Sequence, residues 1–283
     1  MQMSKIKDIV LLILILVNAA LLLITGDQAR QAEAYRQSAL TSVVEALEKN
    51  GTLLDPSILP EGDPLPALTV DRDPLDAAEA EAEAGRVEAL LGPCTREDGA
   101  VVRYRSDRGQ AELDSGGSFA VALGPGQMPL EGADPVEHGA GCLALLGFDG
   151  ELVSRVHAAA SDDGPETLTL TYRQRWEGVP VFSSQAVLSY EDGVLRTITG
   201  RMVAGTGTQV STGTAITMPT VLSRFLEGLK DSGNVCSEIT AVTAGYEAAG
   251  TRPVRLTPVW EIVADRQTRY HIDAVEGTFS RVD

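Results

Sequence analysis

The sequence is short of the residue types from which functional sites are commonly built. Aromatic residues make up only 5% of its 283 residues, so the core has to consist mainly of Val, Leu, Ile and Ala. The three histidines, His138, His157 and His271, are far apart, and none lies in an H-x-x-x-H or H-E-x-x-H pattern. A phosphate-binding G-x-x-x-x-G-K-[ST] motif is also missing. The sequence therefore predicts no metal site and no bound cofactor.

Cysteine is equally scarce. The three cysteines are Cys94, Cys142 and Cys236, an odd number, and no two of them have C-x-x-C spacing. Cys142 lies in an apolar run, where a free thiol behaves as a small hydrophobic side chain. A Cys94–Cys236 disulfide is the alternative that remains open for a chain outside the cytoplasm.

Positive charge is in short supply as well. The chain has 23 Lys and Arg against 40 Asp and Glu, and its formal net charge is −17. Such a surface repels phosphate backbones, so nucleic acid is not expected as a partner. It also repels anionic lipid headgroups, so we do not expect the globular part to lie flat on a membrane.

One long apolar run stands out near the N-terminus. Residues Ile9 to Ile24 are apolar except for Asn18, and this length predicts a transmembrane helix over residues 9–26. Lys5 and Lys7 precede the run, which places residues 1–8 in the cytoplasm and the rest of the chain outside. A cleaved signal peptide is the alternative, but an A-x-A site occurs only beyond the run, at 32–34. The sequence favours a single-pass cell-membrane protein with an uncleaved anchor.

A second helix is predicted directly after the anchor, over residues 27–51. Apolar residues recur there at helical spacing, and Asn50-Gly51 supplies a stop signal. The stripe consists of Tyr35, Ala39, Leu40, Val43, Val44 and Leu47, and all of these except Ala39 are candidate interaction residues. The stripe needs a partner, which is either the chain's own globular domain or another membrane protein. Within the anchor, Asn18 and Ala19 are candidates for packing against a partner helix, because small and polar residues drive helix association in lipid.

The remainder of the chain is predicted to form three units, at 52–132, 133–205 and 214–283, each of which consists of a helix followed by strands. Asp73-Pro74 and Asp134-Pro135 are each typical of a capped helix N-terminus, and a third helix is predicted over Met218–Asp231. Strands with alternating apolar residues follow each helix, with hairpin turns at Glu177-Gly178 and Asp192-Gly193. The predicted class is therefore α+β, with antiparallel sheets covered on one face by a helix.

Two of these strand segments resemble a known module. The segment from Arg175 to Phe182 contains Gly178-Val179-Pro180-Val181-Phe182, and the segments 258–262 (Pro-Val-Trp-Glu-Ile) and 270–277 form a second pattern. Both resemble PepSY-like modules with a cystatin-like helix-on-sheet fold. Trp176 and Trp260 are expected to fill core space between sheet and helix, and Asp273 and Gly277 to shape the terminal hairpin.

The N-terminus, with Ser4-Lys5-Ile6-Lys7 before a short anchor, resembles the YycI/YycH regulatory proteins of Gram-positive bacteria. This resemblance covers the anchor and about the C-terminal half of the chain, while residues 93–132 match nothing familiar. It implies a bitopic extracytoplasmic regulator in a cell-envelope two-component system. The implied partner is a membrane protein, either a sensor histidine kinase or a paralogous regulator.

No catalytic residue is predicted. Asp114-Ser115-Gly116-Gly117 is similar to the nucleophile loop of trypsin-like proteases, but no histidine lies in the sequence context which that mechanism needs. A polar turn between two strands explains the motif fully. We therefore expect a non-enzymatic regulatory or interaction protein. The alternatives are a PepSY-type inhibitor or chaperone of an extracytoplasmic protease or peptidoglycan hydrolase, and an unrecognised wall hydrolase.

Overall fold

The computed structural model describes residues 31, 34–60, 64–71, 77–160, 164–210 and 215–282. The predicted anchor, with Asn18 and Ala19, and the predicted Asp73-Pro74 cap lie outside the described residues. Within them the chain is α+β, which confirms the predicted class. Four helices are present in this described part: α1 over 34–49, α2 over Ala77–Leu91, α3 over Pro135–Leu145 and α4 over Met218–Ser232, with a 3₁₀ turn at Pro56–Ile58.

Fifteen strands in the described part form one hydrogen-bonded sheet system. Their bounds are β1 Leu53–Leu54, β2 Leu68–Asp71, β3 Thr95–Glu97, β4 Val101–Ser106, β5 Gly109–Asp114, β6 Ser118–Leu123, β7 Gly150–Ala158, β8 Thr167–Trp176, β9 Val179–Glu191, β10 Val194–Arg201, β11 Thr206–Gln209, β12 Glu238–Ala249, β13 Val254–Ala264, β14 Thr268–Asp273 and β15 Phe279–Val282. Each of α2, α3 and α4 is followed by strands, as predicted.

The local signals that predicted these elements are visible in the structure. Asp134 caps α3, since its Oδ1 accepts a hydrogen bond from the Val136 backbone N–H at 3.3 Å, and Pro135 opens the helix. The turns at Glu177-Gly178 and Asp192-Gly193 have positive φ at both residues, which is the I′ geometry that matches the twist of a two-residue hairpin. Asp273 Oδ1 accepts from the backbone N–H groups of Val275 and Glu276, and thereby shapes the terminal hairpin.

The strands fall into two groups that meet at β9 and β12. The first group lies in the order β7-β8-β9-β10-β6-β5-β4-β3, and all its neighbours are antiparallel. The second contains β12, β13, β14 and β15, with β2 beside β13 and β11 beside β2. β12 also pairs in parallel with β1 and with β9. The sheet is therefore mixed, whereas antiparallel sheets alone were predicted.

A wide irregularity in β9 produces the junction. Arg173 on β8 pairs with Gln185, but the next residue, Gln174, pairs with Val181. The residues of β9 between these two points therefore form a bulge, and bulges bend a strand and increase its twist. Beyond the bulge, Val181 makes the one backbone pairing with β12 in the described part, opposite Tyr246.

Hydrophobic side chains form two large cores and a small one. The first core lies between the first sheet group and helices α2 and α3, and it includes Leu91, Leu143, Leu170 and Leu188. The predicted units 52–132 and 133–205 thus share one core, because α2 and α3 contact each other on the same sheet face. The second core lies beneath α4 and α1, and contains Trp260.

The small core fills the junction between the two strand groups. It contains Trp176, Val181, Tyr246 and Leu256. Trp260 packs between sheet and helix as expected, whereas Trp176 packs among strand residues of the small core and not against a helix of the described part. The three cysteines are free thiols, with Cys142 in the first core and Cys236 in the second. The Cys94–Cys236 disulfide is not formed.

Candidate functional site

Helix α1 carries the interaction residues that the sequence predicted. Leu47 is fully buried in the second core, and Leu40, Val43 and Val44 are partly buried against it. Tyr35, which lies more than one helical turn before Leu40, is 79% exposed. Of the two partners considered for this stripe, the chain's own domain is the one that its buried part contacts.

The segment after α1 strengthens this attachment. Thr52 is buried, and its hydroxyl donates to the Cys236 carbonyl at 2.8 Å. Leu53 begins β1, which pairs in parallel with the start of β12. The helix that leads from the apolar N-terminal segment is therefore joined to the third unit by apolar packing, a side-chain hydrogen bond and strand pairing.

A second feature, which the sequence did not predict, is a cluster of charged side chains at the junction of the two strand groups. We call it the junction cluster, and its members are Glu151, Arg173, Glu247, Glu261, Arg269 and His271. They come from five strands, β7, β8, β12, β13 and β14. They lie on the sheet face opposite to the helices. Side chains alternate between the two faces of a strand, and the neighbours of these residues along β13 and β14, namely Trp260, Ile262, Tyr270 and Ile272, point into the second core.

Glu261 is the centre of the junction cluster. Its side chain is only 5% exposed, and its Oε1 lies 3.0 Å from Arg173 Nη1 and 2.9 Å from Arg269 Nη1. Burial raises the pKa of this carboxyl group, but the adjacent His271 ring and the two guanidinium groups outweigh burial and lower the pKa to about 2. Glu261 is therefore an ionised carboxylate throughout the physiological range.

His271 lies between two carboxylates. Its Nδ1 is 2.8 Å from Glu247 Oε1, so Nδ1 donates a hydrogen bond, and its Nε2 lies 3.5 Å from Glu261 Oε2 at ion-pair distance. The ring packs on Phe182, with 4.8 Å between centroids. Burial lowers the pKa of His271, but the two carboxylates have the larger combined effect and the pKa is raised.

Arg173 connects the junction cluster to the first strand group. Its side chain is 13% exposed, and its Nη2 donates to Glu151 Oε1 at 2.6 Å. Its guanidinium carbon lies 5.1 Å above the centre of the Phe182 ring, which is a cation–π contact. Phe182 belongs to the bulge of β9. Arg173 thus holds together β7, the bulge and β13, at the place where a single backbone pairing joins the two groups among the described residues.

The remaining candidate residues for chemistry have structural partners. Asp114 Oδ1 accepts hydrogen bonds from the backbone N–H groups of Gly116 and Ser118, at 2.7 and 2.9 Å, so the turn itself uses this carboxylate. His138 contacts Tyr190 and His157 contacts Glu166, so the three histidines lie in three separate settings. Among the described residues, no group of three or more His, Cys, Asp and Glu has an arrangement that could hold a metal ion.

None of the helices described between residues 31 and 282 combines the length and the apolar character that a bilayer span requires. The predicted span, residues 9–26, lies outside the described residues.

The described architecture defines a class of fold: helices on one face of a large, mixed, mainly antiparallel sheet. No protein family matches the sequence, and no curated protein matches it either. Among solved structures, the chain is similar to an uncharacterised protein from Eubacterium rectale ATCC 33656, with a TM-score of 0.52 and 9% identity. The match covers 82% of this chain and 90% of that one. At this identity the likeness concerns the fold alone.

Proposed function

We propose that the chain is a membrane-anchored extracytoplasmic interaction protein that regulates a membrane partner. Residues 9–26 are the anchor, residues 1–8 are cytoplasmic, and the helix-on-sheet units are PepSY-like modules outside the membrane. Sensor histidine kinases of cell-envelope two-component systems are the partner class that the sequence resemblance favours. A paralogous regulator is the second candidate for this membrane partner.

One observation carries this proposal, namely the burial of Leu47 in the second core. A flexible tether would let the domain rotate freely relative to its anchor, whereas a helix that is packed into the domain transmits position and orientation. α1 is about 24 Å long at 1.5 Å per residue, so it also sets the domain at a defined distance from the residues that precede it. Such coupling suits a protein that reports the state of the domain to a partner in the membrane.

The experiment is photo-crosslinking of the full-length chain in its native membrane, followed by identification of the captured protein. A crosslinkable residue at Tyr35, which is exposed, is expected to capture a membrane protein, and a residue at Thr208 on the exposed strand β11 serves as the control. Capture of a secreted hydrolase alone from both positions would instead support the inhibitor or chaperone function.

Topology is tested separately by a C-terminal tag in cells stripped of their wall. The proposal expects added protease to remove the tag from intact cells. It also expects Asn18→Leu and Ala19→Leu to weaken the crosslink at Tyr35, while Leu12→Ile leaves it unchanged, since small and polar residues mediate helix contacts in lipid. A protected tag, or a full-length chain that fractionates away from membranes, would contradict the proposal.

A further inference from the structure

A cleft of about 430 Å³ opens beside the junction of the two strand groups. Its walls come from four parts of the chain: Arg86 of α2, Gly147 in the turn after α3, Trp176 at the end of β8, and Val203 in the segment after β10. We call it the Arg86 cleft. Its volume lies within the range of about 300–1,000 Å³ that is typical of sites for small molecules.

The wall after β10 is held in place by a side chain of the sheet. Gln174 on β8 is buried, its Nε2 donates to the Val203 carbonyl at 2.8 Å, and its Oε1 accepts from the Val203 backbone N–H at 2.7 Å. Trp176 and Val203 are also packed in the small core. The cleft is therefore formed by fixed parts of the fold, as most small-molecule sites are.

Arg86 is the residue that points to a ligand. It is partly buried, and its stem lies across the turn at Gly147, where a Cβ atom would come within 3.0 Å of the Arg86 Cδ. Gly147 has a φ of +79°, which favours glycine, so the turn leaves this space to the arginine. In the described part of the chain, the Arg86 guanidinium has neither a hydrogen bond nor an ion pair. This is unexpected in a sequence with 40 Asp and Glu against 23 Lys and Arg, and its N–H donors suit a carboxylate of a ligand.

The other charges of the cleft disfavour a ligand that is only anionic. Three carboxylates, those of Glu79, Asp149 and Glu177, line it together with two arginines, so its formal charge is −1. The second arginine, Arg175, already donates to a backbone carbonyl at 2.8 Å. A phosphate or a dicarboxylate is therefore repelled by these groups and by a chain of net charge −17. A ligand with one carboxylate and one cationic group suits the cleft instead.

The opposite charges of the cleft do not neutralise one another. Among the described residues, neither Asp149 nor Glu177 forms an ion pair with Arg86. The cleft therefore presents a cationic group and anionic groups separately. In a single α-amino acid both charged groups are attached to one carbon atom, whereas a short peptide carries them at its two ends. The lining also includes Trp176 and Met202, which suit an apolar side chain of such a peptide.

We propose that the Arg86 cleft binds a short peptide with free termini. The terminal carboxylate accepts hydrogen bonds from the Arg86 guanidinium, the terminal ammonium lies near Asp149 and Glu177, and an apolar side chain packs on Trp176 and Met202. This inference does not rest on the proposed membrane partner, because the cleft is formed within one chain.

The test is equilibrium dialysis of the full-length chain in mild detergent against a pool of random tripeptides, with mass spectrometry of the retained peptides. Three pools are compared, namely free, N-acetylated and C-amidated tripeptides, and detergent without protein is the blank. At peptide concentrations up to about 1 mM, we expect retention from the free pool, with apolar residues enriched. Either blocked pool should be retained at least about tenfold less, because each block removes a charged group that the cleft binds.

Arg86→Gln should cause the same loss, of at least about tenfold, for the free pool. The matched control is Arg108→Gln, which removes the same charge. The Arg108 side chain likewise lies over a glycine of positive φ, Gly92, with its Nε 3.6 Å from where a Cβ would be, but it does not line the cleft. This control should retain peptides as wild type does. Thermal unfolding of both variants checks that the fold is intact, and the blocked pools test the proposal on wild type alone.

The proposal is overturned if wild type retains no tripeptide of the free pool above the blank. It is also overturned if the C-amidated pool is retained as well as the free pool, or if Arg86→Gln retains peptides as wild type does, since the guanidinium would then not bind the carboxylate. Equal retention of the N-acetylated and free pools would show that the ligand is a plain carboxylate and not a peptide with free termini. A failed crosslink at Tyr35 concerns the proposed function alone and leaves these outcomes unchanged.

Discussion

Arg173 on β8 and Glu261 on β13 form an ion pair, with 3.0 Å between Nη1 and Oε1, across the junction of the two strand groups. The two residues are 88 positions apart in the chain. Each also has a second partner of opposite charge, Glu151 for Arg173 and Arg269 for Glu261. Because neither charge is left unpaired in its buried position, the cluster can join the two groups without the cost of an isolated buried ion.

Removing the central carboxylate is therefore expected to be costly. Glu261→Gln keeps the shape of the side chain but leaves Arg173 and Arg269 without their shared counter-charge. Breaking a buried ion pair typically costs about 3–5 kcal/mol of unfolding free energy. The matched control is Glu112→Gln, which removes an exposed partner of Arg103 at 2.8 Å and should cost less than about 1 kcal/mol. Urea denaturation of the full-length chain in mild detergent measures both. Equal effects of the two changes would show that the junction cluster is not a structural centre.

The low pKa of Glu261 predicts a pH dependence with a definite sign. A carboxyl whose pKa is lower in the folded state than in the unfolded one stabilises the fold above its unfolded pKa, and that contribution disappears as the pH falls through the folded pKa. For Glu261 the unfolded value is about 4.5 and the folded value about 2. The unfolding free energy of wild type should therefore decrease between about pH 5 and pH 2. Glu261→Gln should show a shallower decrease in the same range, measured by urea denaturation at each pH.

His271 predicts the opposite dependence on the alkaline side. Its folded pKa is raised above 6.5, so its contribution to stability is complete below pH 6.5 and is lost as the pH rises through the folded pKa. The stability difference between wild type and His271→Gln should therefore be largest below pH 6.5 and shrink at higher pH. His157→Gln is the control, since that side chain is half exposed at the edge of the sheet. A constant difference for His271→Gln across pH 5 to 9 would contradict this reading of the cluster.

Much of the fold was predictable because its signals are local. Asp134-Pro135 opens a helix, and Glu177-Gly178 and Asp192-Gly193 close hairpins, through backbone preferences that need no tertiary contact. The stripe of α1 was recognisable from its spacing, and of the two partners considered for it the chain's own domain was the favoured one.

The junction cluster was not predictable in the same way, because it joins five strands that only the tertiary fold brings together. A signal was nevertheless present. Glu261 follows Pro258-Val259-Trp260 and precedes Ile262, so a lone carboxylate lies within an apolar strand. A buried charge needs a partner, yet the sequence does not tell which of the 23 Lys and Arg residues supplies it.

The packing of α1 leads to the last prediction, which concerns the coupling of the anchor to the domain. Leu47 is fully buried, so Leu47→Ala removes methyl groups from a filled core and should cost about 2–5 kcal/mol of unfolding free energy. Tyr35→Ala, on the same helix but 79% exposed, should change stability by less than about 0.5 kcal/mol. The two variants should have opposite functional profiles. Leu47→Ala weakens the attachment of α1 to the domain, so limited proteolysis should cut this variant between α1 and β1 faster than wild type. Tyr35→Ala should be cut at the wild-type rate but should lose the contact with the partner. If Leu47→Ala left both stability and cleavage unchanged, the domain would not be rigidly attached to its helix, and position could not be transmitted through α1.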